Sequence, residues 1–183
     1  MKKFCLLICL ILNVFMLISC NNSMTTIYKS LKDILVENGV EKKFNNSGTK
    51  LYTIKIDDEI EIGYSDFGTD DTITFNCHIM DNPKTHIREG YSLILWEDNN
   101  RFGEDVSYAM IYNGTRILNV LENFYTNGNL EKLSIENYVH NTKEPIEKPD
   151  IIIFNNLKEL IEEDLNLIND FLFNNYNFSL KSK

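Results

Sequence analysis

Leu51-Tyr52-Thr53-Ile54-Lys55-Ile56-Asp57-Asp58-Glu59-Ile60-Glu61-Ile62-Gly63-Tyr64 decides the fold class. Tyr52, Ile54 and Ile56 alternate with Thr53 and Lys55, and Ile60, Ile62 and Tyr64 alternate with Glu59, Glu61 and Gly63. Successive side chains on a strand point to opposite faces, so a period of two predicts strands with one buried face. Asp57-Asp58 between the runs is a turn signal, and the stretch reads as a hairpin.

Farther along the chain, Ile73, Phe75, Cys77 and Ile79 form a third alternating run, after the turn residues Gly68 to Asp71. Tyr91 to Trp96 is nearly continuous in apolar residues and suits a more buried strand. Val106 to Tyr112 runs into Asn113-Gly114, a strong hairpin signal. Two readings stay open beyond Gly114: a returning strand from Thr115, or a helix lined by Ile117, Leu118, Leu121 and Phe124 that stops at Asn127-Gly128. A strand near Thr115 with a helix after it is preferred. Residues 141–150 carry two of the three prolines and read as a loop, with Ile151 to Phe154 as one more short strand.

Helical spacing bounds this sheet at both ends. Ile27, Leu31, Ile34 and Leu35 follow a 3.6-residue period that Thr25 or Thr26 can cap and Asn38-Gly39 can stop, predicting a helix over about 26–38. Asn156 with Glu159 resembles a capping box. Leu157, Leu160, Ile161, Leu165, Ile168, Phe171 and Leu172 then mark one face of a terminal helix, with Glu162, Glu163, Asn166 and Asn169 opposite. The fold expected is α+β: an N-terminal helix, an antiparallel sheet of about five strands and a C-terminal amphipathic helix, in one domain over residues 27–183.

The first residues obey a different logic. Met1-Lys2-Lys3 is a short positive start, and Phe4 to Ile18 is an apolar run interrupted by Asn13. A spanning helix needs about 20 apolar residues, whereas a secretory signal needs about 7–15. Leu17-Ile18-Ser19-Cys20 resembles the lipobox of bacterial lipoproteins. That resemblance implies a signal over residues 1–19 cut before Cys20, and a diacylglyceryl group on the Cys20 thiol. It also implies a lipidated tether over residues 20–26, which at about 3.3–3.6 Å per residue keeps the domain within ~20 Å of the bilayer. Each buried CH₂ contributes about 0.8 kcal/mol, so two or more acyl chains, palmitate for instance, hold stably. The bias of the chain, with 24 Asn and one Ala (Ala109), is similar to that of spirochaete lipoproteins. An exported protein anchored in the outer membrane, on its surface or its periplasmic face, is expected.

Loss of Lys2 and Lys3 with the signal takes 18 basic residues to 16 against 27 acidic ones, a formal charge of −11. Such a domain is repelled by nucleic acid, which is excluded as a partner. The partners expected are the membrane, through lipid on Cys20, and a protein. Cys5 and Cys9 leave with the signal, so Cys77 is left without an internal disulfide partner.

Cys77-His78, with His86, His140 and Asp81 available elsewhere in the chain, is the strongest nucleophile candidate. Strand alternation places Cys77 on the apolar face and His78 on the opposite one, which predicts a buried inert thiol. The histidine spacing matches no usual metal-ligand pattern. Asp98 to Gly103 begins like a calcium loop, but Phe102 and Ala109 stand where ligands belong. The pairs Asp57/Asp58, Asp70/Asp71 and Glu104/Asp105 offer carboxylates for a hydrolase, but paired acids in turns are abundant and read as solvated. No catalytic set, metal site or cofactor is expected. Tyr52, Tyr64, Tyr91, Trp96, Tyr108 and Tyr112 cluster within the sheet, and Tyr and Trp are enriched at interfaces, so they form the candidate interaction surface. The expected function is non-catalytic binding by a membrane-anchored lipoprotein, with a structural or assembly lipoprotein of the envelope as the alternative and an envelope hydrolase behind both.

Overall fold

The computed structural model describes residues 24–43, 49–66, 71–81, 88–98, 101–108, 115–140 and 151–182. Cys20 and Tyr112, and with them the lipobox and the Asn113-Gly114 turn, lie outside them, as do His86 and the 141–150 segment.

Helix α1 spans residues 24–38 and buries Ile27, Tyr28, Leu31 and Leu35 along one stripe. Its end is set where the sequence predicted it. The Gly39 N–H bonds the Leu35 carbonyl at 2.8 Å, and the Asn38 side chain donates to the Ile34 carbonyl. A Cβ on Gly39 would sit 3.2 Å from the Thr53 nitrogen and 2.5 Å from the Leu35 oxygen, so the turn needs a residue without a side chain.

Eight strands come next in an uninterrupted antiparallel meander: β1 (Val40–Lys43), β2 (Lys50–Lys55), β3 (Ile60–Asp66), β4 (Asp71–Asp81), β5 (Arg88–Asp98), β6 (Arg101–Tyr108), β7 (Thr115–Ile117) and β8 (Tyr138–His140). The α+β class stands. Alternation is readable in β2, β3 and β4; β5 shows instead as a nearly continuous apolar run, and β6 overlaps the expected Val106 to Tyr112 run only over Val106 to Tyr108. Three strands of three or four residues extend the sheet at its margins, too short for any period to show. Asp98 and Arg101 to Gly103 are strand residues: Asp98 pairs with Arg101, and Phe102 and Gly103 are ladder residues of β6.

Between β7 and β8 lies helix α2 (Val120–Asn127), so the segment after Thr115 is a strand and then a helix, as preferred from sequence. Gly128, at φ 74°, closes α2 by donating its N–H to the Phe124 carbonyl, the left-handed stop that glycine favours.

Helix α3 (Ile151–Tyr176) is five residues longer at its start than the Asn156 cap predicts. Ile151 to Phe154, expected as a strand, is its first turn. The physical reason is spacing: Phe154 buries with Leu157, Ile161, Leu165, Ile168 and Leu172 on one helical stripe. Asn169, expected opposite that stripe, is buried too. Its Oδ1 accepts the Leu180 N–H at 2.9 Å and the Ser179 hydroxyl at 3.0 Å, fastening the chain after α3 under the helix.

All three helices send their apolar residues into one core with one face of the sheet. Register sets that face row by row: Tyr52, Tyr64, Ile73 and Leu95; Ile54, Ile62, Phe75 and Leu93; Ile60, Cys77 and Tyr91. Among the described residues the structure is therefore two layers, with helices on one face of the sheet and none on the other. Among the described residues no helix is long and apolar enough to cross a membrane.

Candidate functional site

The second face of the sheet is built from the alternate rows. Leu51, Ser65, Thr72, Trp96 and Gly103 form one, Gly63, Thr74 and Ile94 the next, and Glu61, Asn76 and Ser92 the third. Leu51, Ser65, Thr72, Thr74, Asn76, Ser92, Ile94 and Trp96 are all half-buried, and none belongs to the core beneath the helices. Antiparallel sheets commonly leave one face toward solvent with polar residues on it. Here the central polar residues are hydroxyls and amides, and the Ser92 hydroxyl donates to Asn76 Oδ1 at 2.9 Å. Trp96, the sole tryptophan of the chain, is the large aromatic of this face.

Of the six aromatic residues chosen from sequence, Tyr112 lies outside the described residues, and the other five do not share a surface. Tyr64 and Tyr91 are buried under the helices, 3 % and 1 % exposed. Tyr52 lies half-buried on that same covered face, stacked on Tyr64 with ring centroids 6.1 Å apart. Tyr108 pairs with Tyr91 and so shares its row. Among the described five, Trp96 has the opposite parity, because a one-residue step along a strand exchanges faces. The candidate surface contracts to Trp96 and its cross-strand neighbours.

A different constellation sits at the end of β4. Cys77 pairs with Tyr91 and Met80 with Glu89, so β4 carries one residue more than β5 there. This bulge forms around His78 at φ 55° and Gly90 at φ 100°. A Cβ on Gly90 would collide with the carbonyl oxygens of both Cys77 and His78. Bulges re-aim side chains, and this one overturns the alternation that put His78 on the face opposite the core. His78 instead reaches α3, its Nε2 3.0 Å from Asp164 Oδ1 and its Nδ1 2.7 Å from Glu59 Oε2. Glu59 is held in place by its own turn. Asp57 Oδ1 accepts the N–H groups of Glu59 and Ile60, and the His78 N–H bonds the Glu59 carbonyl at 2.8 Å.

Asp164 is the buried member, its side chain 8 % exposed. It accepts the Tyr91 hydroxyl at 2.7 Å on Oδ2, besides the imidazole. Partial burial pushes the His78 pKa down, but hydrogen bonds to Asp164 and Glu59 outweigh it and hold the ring above its usual 6.5. Burial drives the Cys77 thiol up to about 12, with a hydrogen bond to Tyr91 only partly opposing it. Cys77 is 0 % exposed. A thiol in that state supplies no thiolate at neutral pH, and both nitrogens of its histidine neighbour are taken. The signal missed in the sequence is Asp164 itself: it falls between Ile161 and Leu165 on the apolar stripe of α3, where a carboxylate requires partners.

The acid pairs resolve similarly, each having a member with a structural task. Asp57 caps its turn. Asp71 Oδ2 accepts Lys32 Nζ and the Tyr64 hydroxyl, both at 2.7 Å, tying α1 to the sheet. Burial pushes the Asp71 carboxyl up, but these two hydrogen bonds and the charge of Lys32 hold it below 3.8. Glu104 caps the N-terminus of α2, accepting the N–H groups of Leu121 at 2.7 Å and Glu122 at 3.3 Å. Among the described residues no group of three or more His, Cys, Asp or Glu is arranged to hold a metal ion. Set against known proteins, the chain matches no family model, no curated protein and no solved structure.

Proposed function

We propose that this chain is a membrane-anchored bacterial lipoprotein that works by binding, with lipid on Cys20 as its anchor and the helix-free face of the sheet as its working surface. The observation that carries the reading is that face: Trp96 and Ile94 set among Ser65, Thr72, Thr74, Asn76 and Ser92, outside the core. An indole in a field of hydroxyls and amides combines large contact area with adaptable hydrogen bonding. Catalysis is disfavoured by the state of the best-placed groups. Cys77 is a buried thiol, and Asp57, Asp71, Asp164 and Glu104 are each engaged by protein donors. Anchoring is supported by Leu17-Ile18-Ser19-Cys20 after its apolar run. The outer membrane is the destination we assign, and a protein of the envelope the partner.

Because Trp96 is unique, its fluorescence reports directly on anything that docks there. Envelope proteins solubilised from the producing cell are to be titrated against the protein, with Trp96→Phe and Thr72→Lys variants beside it. A saturable change in emission that Thr72→Lys abolishes, with the same partner lost from pull-downs by both variants, is the expected result. A partner captured equally by all three forms would refute the assignment of the surface. Metabolic labelling with palmitate tests the anchor separately: incorporation must vanish in Cys20→Ala.

A further inference from the structure

We propose that His78 is a proton-operated tie joining the β2–β3 turn, the β4 bulge and α3, whose outer half opens when the ring loses a proton while its inner half holds. The geometry gives the ring a carboxylate on each side, Glu59 at Nδ1 and Asp164 at Nε2. An imidazolium donates from both nitrogens, but a neutral imidazole has one N–H, and its other nitrogen is an acceptor. Losing the proton therefore turns one of the two charge-assisted hydrogen bonds into a contact between two lone pairs.

Exposure decides which contact is lost. The Glu59 side chain is 57 % exposed and exchanges the ring for water at little cost. The Asp164 side chain is 8 % exposed, and losing the imidazole would leave a buried carboxylate with one donor fewer and no ready access to water. The remaining proton consequently stays on Nε2, facing Asp164, and the Glu59 contact breaks. No other described group facing the ring competes for this proton near neutrality. Tyr91, from β5, donates its hydroxyl to Asp164 and is itself driven up by burial. Cys77, from β4, is held as a thiol by its pKa of about 12. Asp57, in the turn, spends its carboxylate on the N–H groups of Glu59 and Ile60.

The sign of the pH effect is set by the raised pKa. A histidine whose folded pKa lies above its unfolded value stabilises fully below the unfolded value, about 6.5, and loses that contribution as pH rises through the folded one. The tie is thus closed in mildly acidic surroundings and half-open in alkaline ones. An exported domain has no cytoplasm to buffer it, so the β2–β3 turn would respond to the pH outside.

The test uses the full lipidated protein in nonionic detergent, with ¹⁵N-labelled histidine. There are three histidines, and His78 is assigned by its loss in His78→Gln. We expect His78 to titrate above 6.5 and its neutral form to carry the proton on Nε2. Glu59→Gln, at an exposed position, is expected to lower that pKa. Its folding constant, from urea unfolding read through Trp96 emission, should be at least about threefold below wild type at pH 6 and equal to it at pH 9. Titration at or below 6.5, a neutral ring protonated on Nδ1, or a wild-type to Glu59→Gln ratio that does not change with pH would each overturn the proposal.

Discussion

Replacing Gly90 by alanine attacks the bulge from the strand opposite it. At φ 100° Gly90 occupies backbone space that an L-residue rarely enters, and a residue forced into such a region costs about 1–3 kcal/mol. The added methyl also meets the carbonyl oxygens of Cys77 and His78. Both are backbone atoms, which cannot rotate aside as a side-chain end would, so β4 must shift or the bulge must open. Opening it withdraws His78 from Asp164 and leaves a buried carboxylate with one donor fewer, worth about 1–3 kcal/mol more. The sum is about 2–6 kcal/mol, a large share of the 5–15 kcal/mol that holds an ordinary domain together. Gly63→Ala is the control. Its Cβ would lie 3.4 Å from Leu51 Cδ1 and 3.6 Å from Thr53 Cγ2, ordinary contacts at a backbone angle any residue adopts, and the expected cost stays below about 1 kcal/mol. Urea unfolding at pH 6, read through Trp96 emission and far-ultraviolet dichroism together, gives both values. Gly90→Ala within about 1 kcal/mol of wild type, or no more damaging than Gly63→Ala, would refute the bulge as the device that turns His78 inward.

Two further substitutions probe how the helices are fastened. Lys32→Met removes one of the donors on Asp71. Because the folded pKa of Asp71 lies below 3.8, its contribution is present above that value and lost as pH falls through the folded one. The acid-unfolding midpoint of the variant should therefore move to higher pH, and an unchanged midpoint counts against the tie between α1 and β4. Asn169→Ala leaves the Leu180 N–H buried without the acceptor it has at 2.9 Å. It should destabilise by about 1–3 kcal/mol in urea, with Asn169→Asp recovering much of that because an oxygen remains; a loss under about 0.5 kcal/mol, on the order of ordinary surface substitutions, would show that the chain after α3 is not held there.

Sheet and helices were legible in the chain to the extent that burial is periodic. The alternation of Tyr52 to Tyr64 and of Ile73 to Cys77 named both the strands and the face they bury, and Asn38-Gly39 and Asn127-Gly128 marked where helices end. The losses lay where periodicity is too short or is broken. Three residues, as in β7 or β8, cannot display a period of two. A bulge adds one residue and inverts the parity of the residues beyond it, so His78 was assigned to the wrong face by a rule valid up to Cys77. Asn169 and Asp164 were hidden for another reason. A polar residue on an apolar stripe is decided by partners far along the chain, Ser179 and Leu180 for one, Tyr91 and His78 for the other. Tyr64 and Tyr91 are separated from Trp96 by parity, since β propensity puts aromatics on either face.

Parity also separates the two kinds of polarity in this domain. Beneath the helices two carboxylates sit in matched knots: Asp71 with Lys32 and Tyr64, Asp164 with His78 and Tyr91. A buried charge is tolerated only when so matched, and a matched charge has little left to offer a ligand. On the helix-free face the half-buried side chains from Ser65 through Trp96 are hydroxyls, amides and apolar groups without formal charge. Charge enters that face in the neighbouring rows, with Glu61 opposite Lys55 beside the β2–β3 turn and Asp105 paired with Ile94 in register. Uncharged groups cost little to desolvate compared with ions. In a protein of net charge −9, the row of Ser65, Thr72 and Trp96 is where the partner we propose would approach without first displacing a strongly hydrated carboxylate. The distribution of charge therefore favours the same surface as the topology does, and it does so independently, because nothing in an antiparallel meander requires the centre of its outward rows to be uncharged.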